Sequence, residues 1–473
     1  MPDIHDLSAT VLSAEIRGKR LSPVEIVDHY LDRIAARDAA VGGYVTVAAD
    51  LAREQARKAE RAVLSASDPD DLPPLTGVPV PVKDLTAVAG MPTRRGSATY
   101  RDDPPATQDD GVVLRLREAG AVIIGKTNTP EFGLAGYTES PVAPPARTPW
   151  DRTRSAGGSS GGAAAAVAAG LAPVAHGSDG GGSIRIPASA CGVVGIKPTR
   201  GRVSNGPYGA DLFGLATHGA LARRVADAAL LLDALAHTRP GDAAPVPTRG
   251  HRYATDAGRD PGRLRIAAHA GPASSGAEVH PDCRAAYEDA IGRLRDLGHV
   301  VEEVEPPVGG AFMDRFAVLW AATAAPLDAP DVTPLTAWLR DRGRSLGAAD
   351  VVQALAGLQR LTRPVAALAE EYDAVLTPTL ARPPAPIGHF HDQDPAENFA
   401  RQCAFSPFAS VSNVTGQPAV SLPAYWTAEG LPIGIMLAAR HGAEPTLIAL
   451  GARLEAAVDW PARTPPGWGT THP

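Results

Sequence analysis

The sequence predicts an α/β protein in which a largely parallel or mixed sheet is covered by helices. Two observations carry this. Short aliphatic runs, GVPVPV, AVIIG and CGVVGI, alternate with helical stretches from Leu75 onward, as strands covered by helices do. The composition, 44% hydrophobic and 21% charged over 473 residues, is that of a globular chain able to bury a sizeable core. Gly and Pro make up about a fifth of the residues, below the roughly 25–30% that marks low-complexity chains. No repeat at a solenoid period is visible. One main core is expected.

Ser22-Pro23-Val24-Glu25 has the serine, proline and glutamate that start a helix, and Val24, Ile26, Val27, Tyr30, Leu31 and Ile34 continue it. Ala48 to Ala66 reads as a second helix, with Glu54 and Lys58 paired at i,i+4. Then follow the strand GVPVPV, the helix VVLRLREAG, the strand AVIIG, a Gly/Ala block and the strand CGVVGI. Residues 237–271 are rich in Pro, Gly and Arg and read as a surface connection. RLRIAAHA (strand), Pro281 to Leu297 (helix), HVVEEVEPP (strand) and less regular helices to Glu371 come next. AVLTPTL, PAVSLPAYW and LPIGIMLAA are strand-like, and Pro445 to Ala457 closes the chain as a helix.

A net charge of −7 gives no electrostatic reason to bind nucleic acid or an anionic membrane, so a small molecule is the expected partner. The first residues carry acids where a signal peptide has a basic region, and no apolar segment follows, so a cytoplasmic location is expected. The longest uncharged run, Ser155 to Ser178, is glycine- and serine-rich and is not a membrane span. Cys191, Cys283 and Cys403 form no CxxC pair, and His389, His391 and Asp392 lie in a Pro-rich stretch without a matching third ligand, so no metal site is expected. Cys191 reads as a small core residue.

Cations are almost all arginine: forty Arg against five Lys, at 19, 58, 83, 126 and 197. Arginine cannot deprotonate in a protein, whereas a buried lysine can act as a base. Lys83, Lys126 and Lys197, set among apolar or glycine-rich neighbours, therefore need explaining. Gly120 to Thr127 fits the phosphate-loop pattern literally, but its interior is an apolar strand after a helix. Gly157 to Gly161 fits G-x-S-x-G, yet no bulky strand leads into it and no Asp and His context follows. Residues 155–187 hold two glycine-serine nests separated by a small-residue helix. Successive glycines let backbone N–H groups converge, as an oxyanion hole requires, and Ser183 ends the run Gly180-Gly181-Gly182. In GVPVPVKDL, Val78, Val80 and Val82 share one strand face, and Pro79, Pro81 and Lys83 the other.

Lys83 in GVPVPVKDL, Ser159 in GGSSGG and Ser183 in SDGGGSIRIPASACGVVGIKPTRGRVS together resemble the amidase signature family, at that family's 24-residue Ser159-to-Ser183 spacing. The resemblance spans most of the chain and is weakest over 237–365, and it implies a single domain over 1–473 with amino-terminal helices over 1–65, a signature core with the triad over 66–236, a variable cap over 237–365 and the rest of the core over 366–473. It implies an amidase signature fold, one large, mixed, twisted sheet between helical layers, and a Ser–cis-Ser–Lys triad: Ser183 as acyl nucleophile, Ser159 after a cis bond from Gly158 as proton relay, and Lys83 as base. It further implies an oxyanion hole from the amides of Gly180, Gly181, Gly182 and Ser183, and Asp179 with Arg185 as an ion pair beneath the loop. Lys126 and Lys197 become structural, no metal or organic cofactor is needed, and a homodimer through the first helices is suggested. The sequence departs from the family's usual pattern at Pro81, at Gly180, where Thr or Ile is common, and at Met436, where Gln is common. The lost side chain at Gly180 is expected to widen the acyl side or loosen the loop. Phe132, Tyr137, Tyr208, Phe405, Phe408, Tyr425 and Trp426 are candidates for an apolar pocket. The implied activity is hydrolysis of a small carboxylic amide, with nylon-type oligomers, aryl amides and carbamates as further substrates. Two alternatives stay open: a glutaminase like the A subunit of the tRNA-dependent amidotransferase, and a catalytically silent binding protein on the same scaffold.

Overall fold

The strands of the computed structural model, which describes residues 3–274, 276–309, 311–391 and 394–469, form two sheets. The smaller has the order β1-β3-β2, from β1 (Tyr44–Val47), β2 (Pro79–Lys83) and β3 (Val122–Thr127). The larger runs β4-β6-β5-β10-β11-β9-β7-β8. Its members are β4 (Val174–Asp179), β5 (Val194–Lys197), β6 (Thr217–Ala222), β7 (Arg265–Ala268), β8 (Val300–Glu303), β9 (Ala374–Pro378), β10 (Ala419–Trp426) and β11 (Pro432–Ala438). It is mixed: β9, β7 and β8 are parallel neighbours, and every other pairing is antiparallel.

The large mixed sheet expected from sequence is present with eight strands, and the three further strands are set off from it at β2. Asp84 donates its N–H to Thr127 O on the β3 side. Lys83, one residue earlier, faces the other edge, as do Pro79 and Pro81 at the same parity. Two prolines without N–H groups leave that edge unable to take a full ladder, and β2 ends its sheet there.

Helices cover both faces of the large sheet. Leu422 meets Gly451 of the helix Glu444–Val458, whereas Ser421, next to it on β10, meets Gly434 against the helix Arg185–Cys191. Adjacent strand residues point to opposite faces, so these helices form opposite layers. The helix Gly161–Ala168 is wholly buried, and its small residues let it press on backbone: a Cβ at Gly162 would lie 2.4 Å from Asn128 N and Gly43 O. At the amino terminus, Ser22 caps the helix Pro23–Arg37 by accepting from Val24 N and Glu25 N, as its sequence predicts.

Two expectations need correction. The first 65 residues are not all helical, because β1 lies between the helices Pro23–Arg37 and Ala49–Ser65 and pairs with β3. The stretch 237–365 is not one cap: β7, the helix Pro281–Asp296 and β8 build the edge of the large sheet. Only its later helices, Ala311–Ala324, Pro334–Ser345 and Ala348–Leu361, stand apart from the sheet order. They are tied to the core by Trp320 Nε1 donating to Leu134 O (3.1 Å) and by Thr333 donating through N and Oγ1 to Glu131 (2.7 Å each). Among the described residues, no helix is long and apolar enough to cross a membrane.

Candidate active site

Lys83 ends β2 with its side chain fully buried, and its Nζ lies 2.8 Å from Ser159 Oγ. Nζ also donates to Ser178 O and Ser178 Oγ, both at 3.1 Å. Burial pulls the amine down from its ordinary 10.5 to about 7, and the nearby Asp179 charge only partly opposes this. Half the amines are then neutral near pH 7, with a lone pair able to take a proton from Ser159. At the free edge of β2, the Lys83 N–H is met by His176 Nδ1 from β4 at 3.3 Å, and His176 Nε2 is 2.9 Å from His218 Nδ1. The peptide bond Gly158–Ser159 is cis, and the Ser160 N–H donates to Ser183 O at 3.0 Å, holding the two serine nests together.

Asp179 ends β4 and organises the second nest. It accepts from Gly182 N (2.7 Å), Ile184 N (3.1 Å), Arg185 Nε (3.0 Å) and Arg185 Nη2 (2.9 Å). Burial would raise its carboxyl, but the Arg185 guanidinium holds it well below the usual range. Arg185 is itself sealed and also donates to Ala409 O, Asn413 Oδ1 and Met436 Sδ, so Met436 supplies an acceptor to this pair. One expectation changes here: the Gly182 amide is committed to Asp179 and leaves the oxyanion set. The amides of Gly180, Gly181 and Ser183 donate to no protein acceptor among the described residues and are free for a substrate oxygen.

The other candidates have structural partners. Lys126 is ion-paired with Asp84 at 2.8 Å, both buried, inside β3 and not in a phosphate loop. Lys197 donates to Pro198 O at 2.9 Å, its amine lowered to about 7 by burial and by Arg185. The Cys191 thiol is buried and pushed up by desolvation. His391 faces Glu139 at 3.5 Å, and His389 packs edge-on to Phe390; Asp392 lies outside the described residues.

The pocket aromatics are the clearest miss. Ser183 opens onto a cavity of about 60 Å³, and none of the seven candidates lines it. Tyr208 is 66% exposed and bonded to Gln108. Tyr425 and Trp426 sit at the outer end of β10, with Arg463 over the Trp426 ring. Phe405 and Phe408 are core residues, and Phe132 packs edge-on to Tyr100. Tyr137 accepts from Asn398 Nδ2 and lines an adjoining cavity of about 330 Å³ with Glu139 and His391, which shares Leu134 and Ala135 with the first. The walls at Ser183 are instead Met313, Phe316 and Trp320 of the cap helix Ala311–Ala324, with Ile186, Phe399 and Cys403. The signal for them is the four-residue spacing of Phe312, Phe316 and Trp320, which puts three rings on one helical face.

The sequence profile described as Amidase matches residues 25–448. A 6-aminohexanoate-cyclic-dimer hydrolase from Paenarthrobacter ureafaciens is 35% identical over 494 residues, covering 97% of this chain and 96% of its own. An acylamidase from Rhodococcus erythropolis is 34% identical over 480 residues, covering 98% of each. A solved 6-aminohexanoate cyclic dimer hydrolase in complex with substrate superposes with a TM-score of 0.88 at 32% identity, covering 98% of this chain and 99% of that one.

Proposed function

The chain belongs to the amidase signature family and hydrolyses carboxylic amides, and on that premise we propose that the reaction runs through an acyl-enzyme on Ser183. Neutral Lys83 takes the Ser159 proton as Ser159 takes that of Ser183, and Ser183 Oγ bonds to the carbonyl carbon. The free amides of Gly180, Gly181 and Ser183 stabilise the oxyanion. The proton returns through Ser159 to the amine nitrogen as the C–N bond breaks. Water then attacks the ester by the same relay in reverse, releasing the acid and restoring Ser183.

The observation that carries this reading is the 2.8 Å contact between Lys83 Nζ and Ser159 Oγ, with the amine sealed from water and drawn to about 7. The substrates proposed are small, uncharged linear or cyclic amides, supported by a cavity whose polar walls are the neutral Gln402, Ser406 and Ser410. The test is intact-mass labelling with a fluorophosphonate. One adduct in the wild type, absent in Ser183→Ala and strongly slowed in Lys83→Ala, is expected. Labelling that persists in Ser183→Ala would overturn the assignment.

A further inference from the structure

Glycine at 180 and 181 is not demanded by the backbone, since neither residue has a positive φ. The space above them is already occupied. A Cβ at Gly180 would lie 3.4 Å from both Cη2 and Cζ3 of Trp320 and 3.8 Å from Ala216 Cβ. At Gly181 it would lie 3.1 Å from Phe316 Cζ and 3.8 Å from Trp320 Cζ3. The two rings are stacked, with centroids 5.4 Å apart and planes 21° apart, and Phe312 continues the stack below Phe316. The indole is fixed at its polar end by Nε1 donating to Leu134 O. The side chain absent from Gly180 therefore does not leave a wider site, as its sequence suggests. The cap helix fills that volume, and the cavity of about 60 Å³ at Ser183 lies against Phe316 and Trp320.

We propose that Gly180 and Trp320 are a matched pair, in which the indole roofs the amides flanking Ser183 and sets an upper size limit on uncharged acyl groups. The inference rests on Ser183 being the acyl-accepting residue. An ordinary van der Waals contact at 3.4 Å leaves room for a methyl group at position 180 but not for a branched side chain. Gly180→Ile should therefore lose activity unless the indole is removed.

The test uses p-nitroanilides of acetic, butyric, hexanoic and octanoic acids with the full chain. Wild type, Trp320→Ala, Trp320→Phe, Gly180→Ile and the double variant Gly180→Ile/Trp320→Ala are compared by kcat/KM. Excluding one methylene from an apolar pocket changes selectivity by about 10–200-fold. Trp320→Ala should accordingly raise the octanoyl-to-acetyl ratio at least tenfold, Trp320→Phe should fall between, and the double variant should recover at least tenfold over Gly180→Ile alone. Should Trp320→Ala not fold, Trp320→Phe still tests the size limit. An unchanged acyl ratio in variants that still label at Ser183 would overturn the pair. Loss of labelling at Ser183 in the wild type would instead overturn the nucleophile.

Discussion

Replacing Lys83 with methionine should abolish turnover and stabilise the protein at neutral pH. The fall of the amine from 10.5 to about 7 corresponds to about 5 kcal/mol. Between those values the unfolded chain holds a proton on this amine that the folded chain does not. Folding stability therefore rises with pH across that window and loses this contribution at and below about pH 7. Lys83→Met removes the cost, on the order of 4 kcal/mol at pH 7. Against it, Ser159 and Ser178 lose a partner, which costs about 1–3 kcal/mol. The net expectation is a gain of about 2 kcal/mol at pH 7 that vanishes, then reverses, by pH 10.5. Urea unfolding of both proteins from pH 6 to 11 reads this directly, because every other group titrates in both. A stability difference that does not change with pH would refute the argument that burial holds this amine neutral.

Three further outcomes follow from the same geometry. kcat/KM should rise with pH through about 7 and then level, since the protonated amine below that value cannot accept from Ser159; a flat profile from pH 6 to 9 would contradict the base assignment. Arg185→Met should destabilise by about 3–5 kcal/mol in chemical denaturation, because it leaves the Asp179 carboxylate buried without its counter-charge. Gly162→Ala should destabilise by about 1–3 kcal/mol, since its methyl group would meet the backbone of Asn128 and Gly43, which cannot turn aside as a side chain can.

What the sequence discloses and what it hides divide along physical lines. The strands around Val80, Ile123 and Ile196 and the helix capped by Ser22 are legible because local pattern decides them. Lys83 stands out because arginine replaces lysine almost wherever a plain cation serves, and the serine nests because glycine runs are chemically particular. The commitment of the Gly182 amide to Asp179 is not legible, since it depends on how the loop folds over a carboxylate three residues away. Nor is the division of the sheet, which turns on the parity of Pro79 and Pro81 relative to β3. The walls of the cavity are hidden for another reason: Phe316 and Trp320 lie more than 130 residues beyond Ser183, on a helix that no motif marks. Only tertiary packing brings them over Gly180.

The most direct test of the central claim is to quench the wild-type enzyme with acid during turnover of a p-nitroanilide and map the acyl mass by peptide. The account predicts one acyl group on the Ser183 peptide, gone when the substrate is exhausted. Acyl mass on Ser159, or turnover with no acylated protein at any quench time, would contradict it.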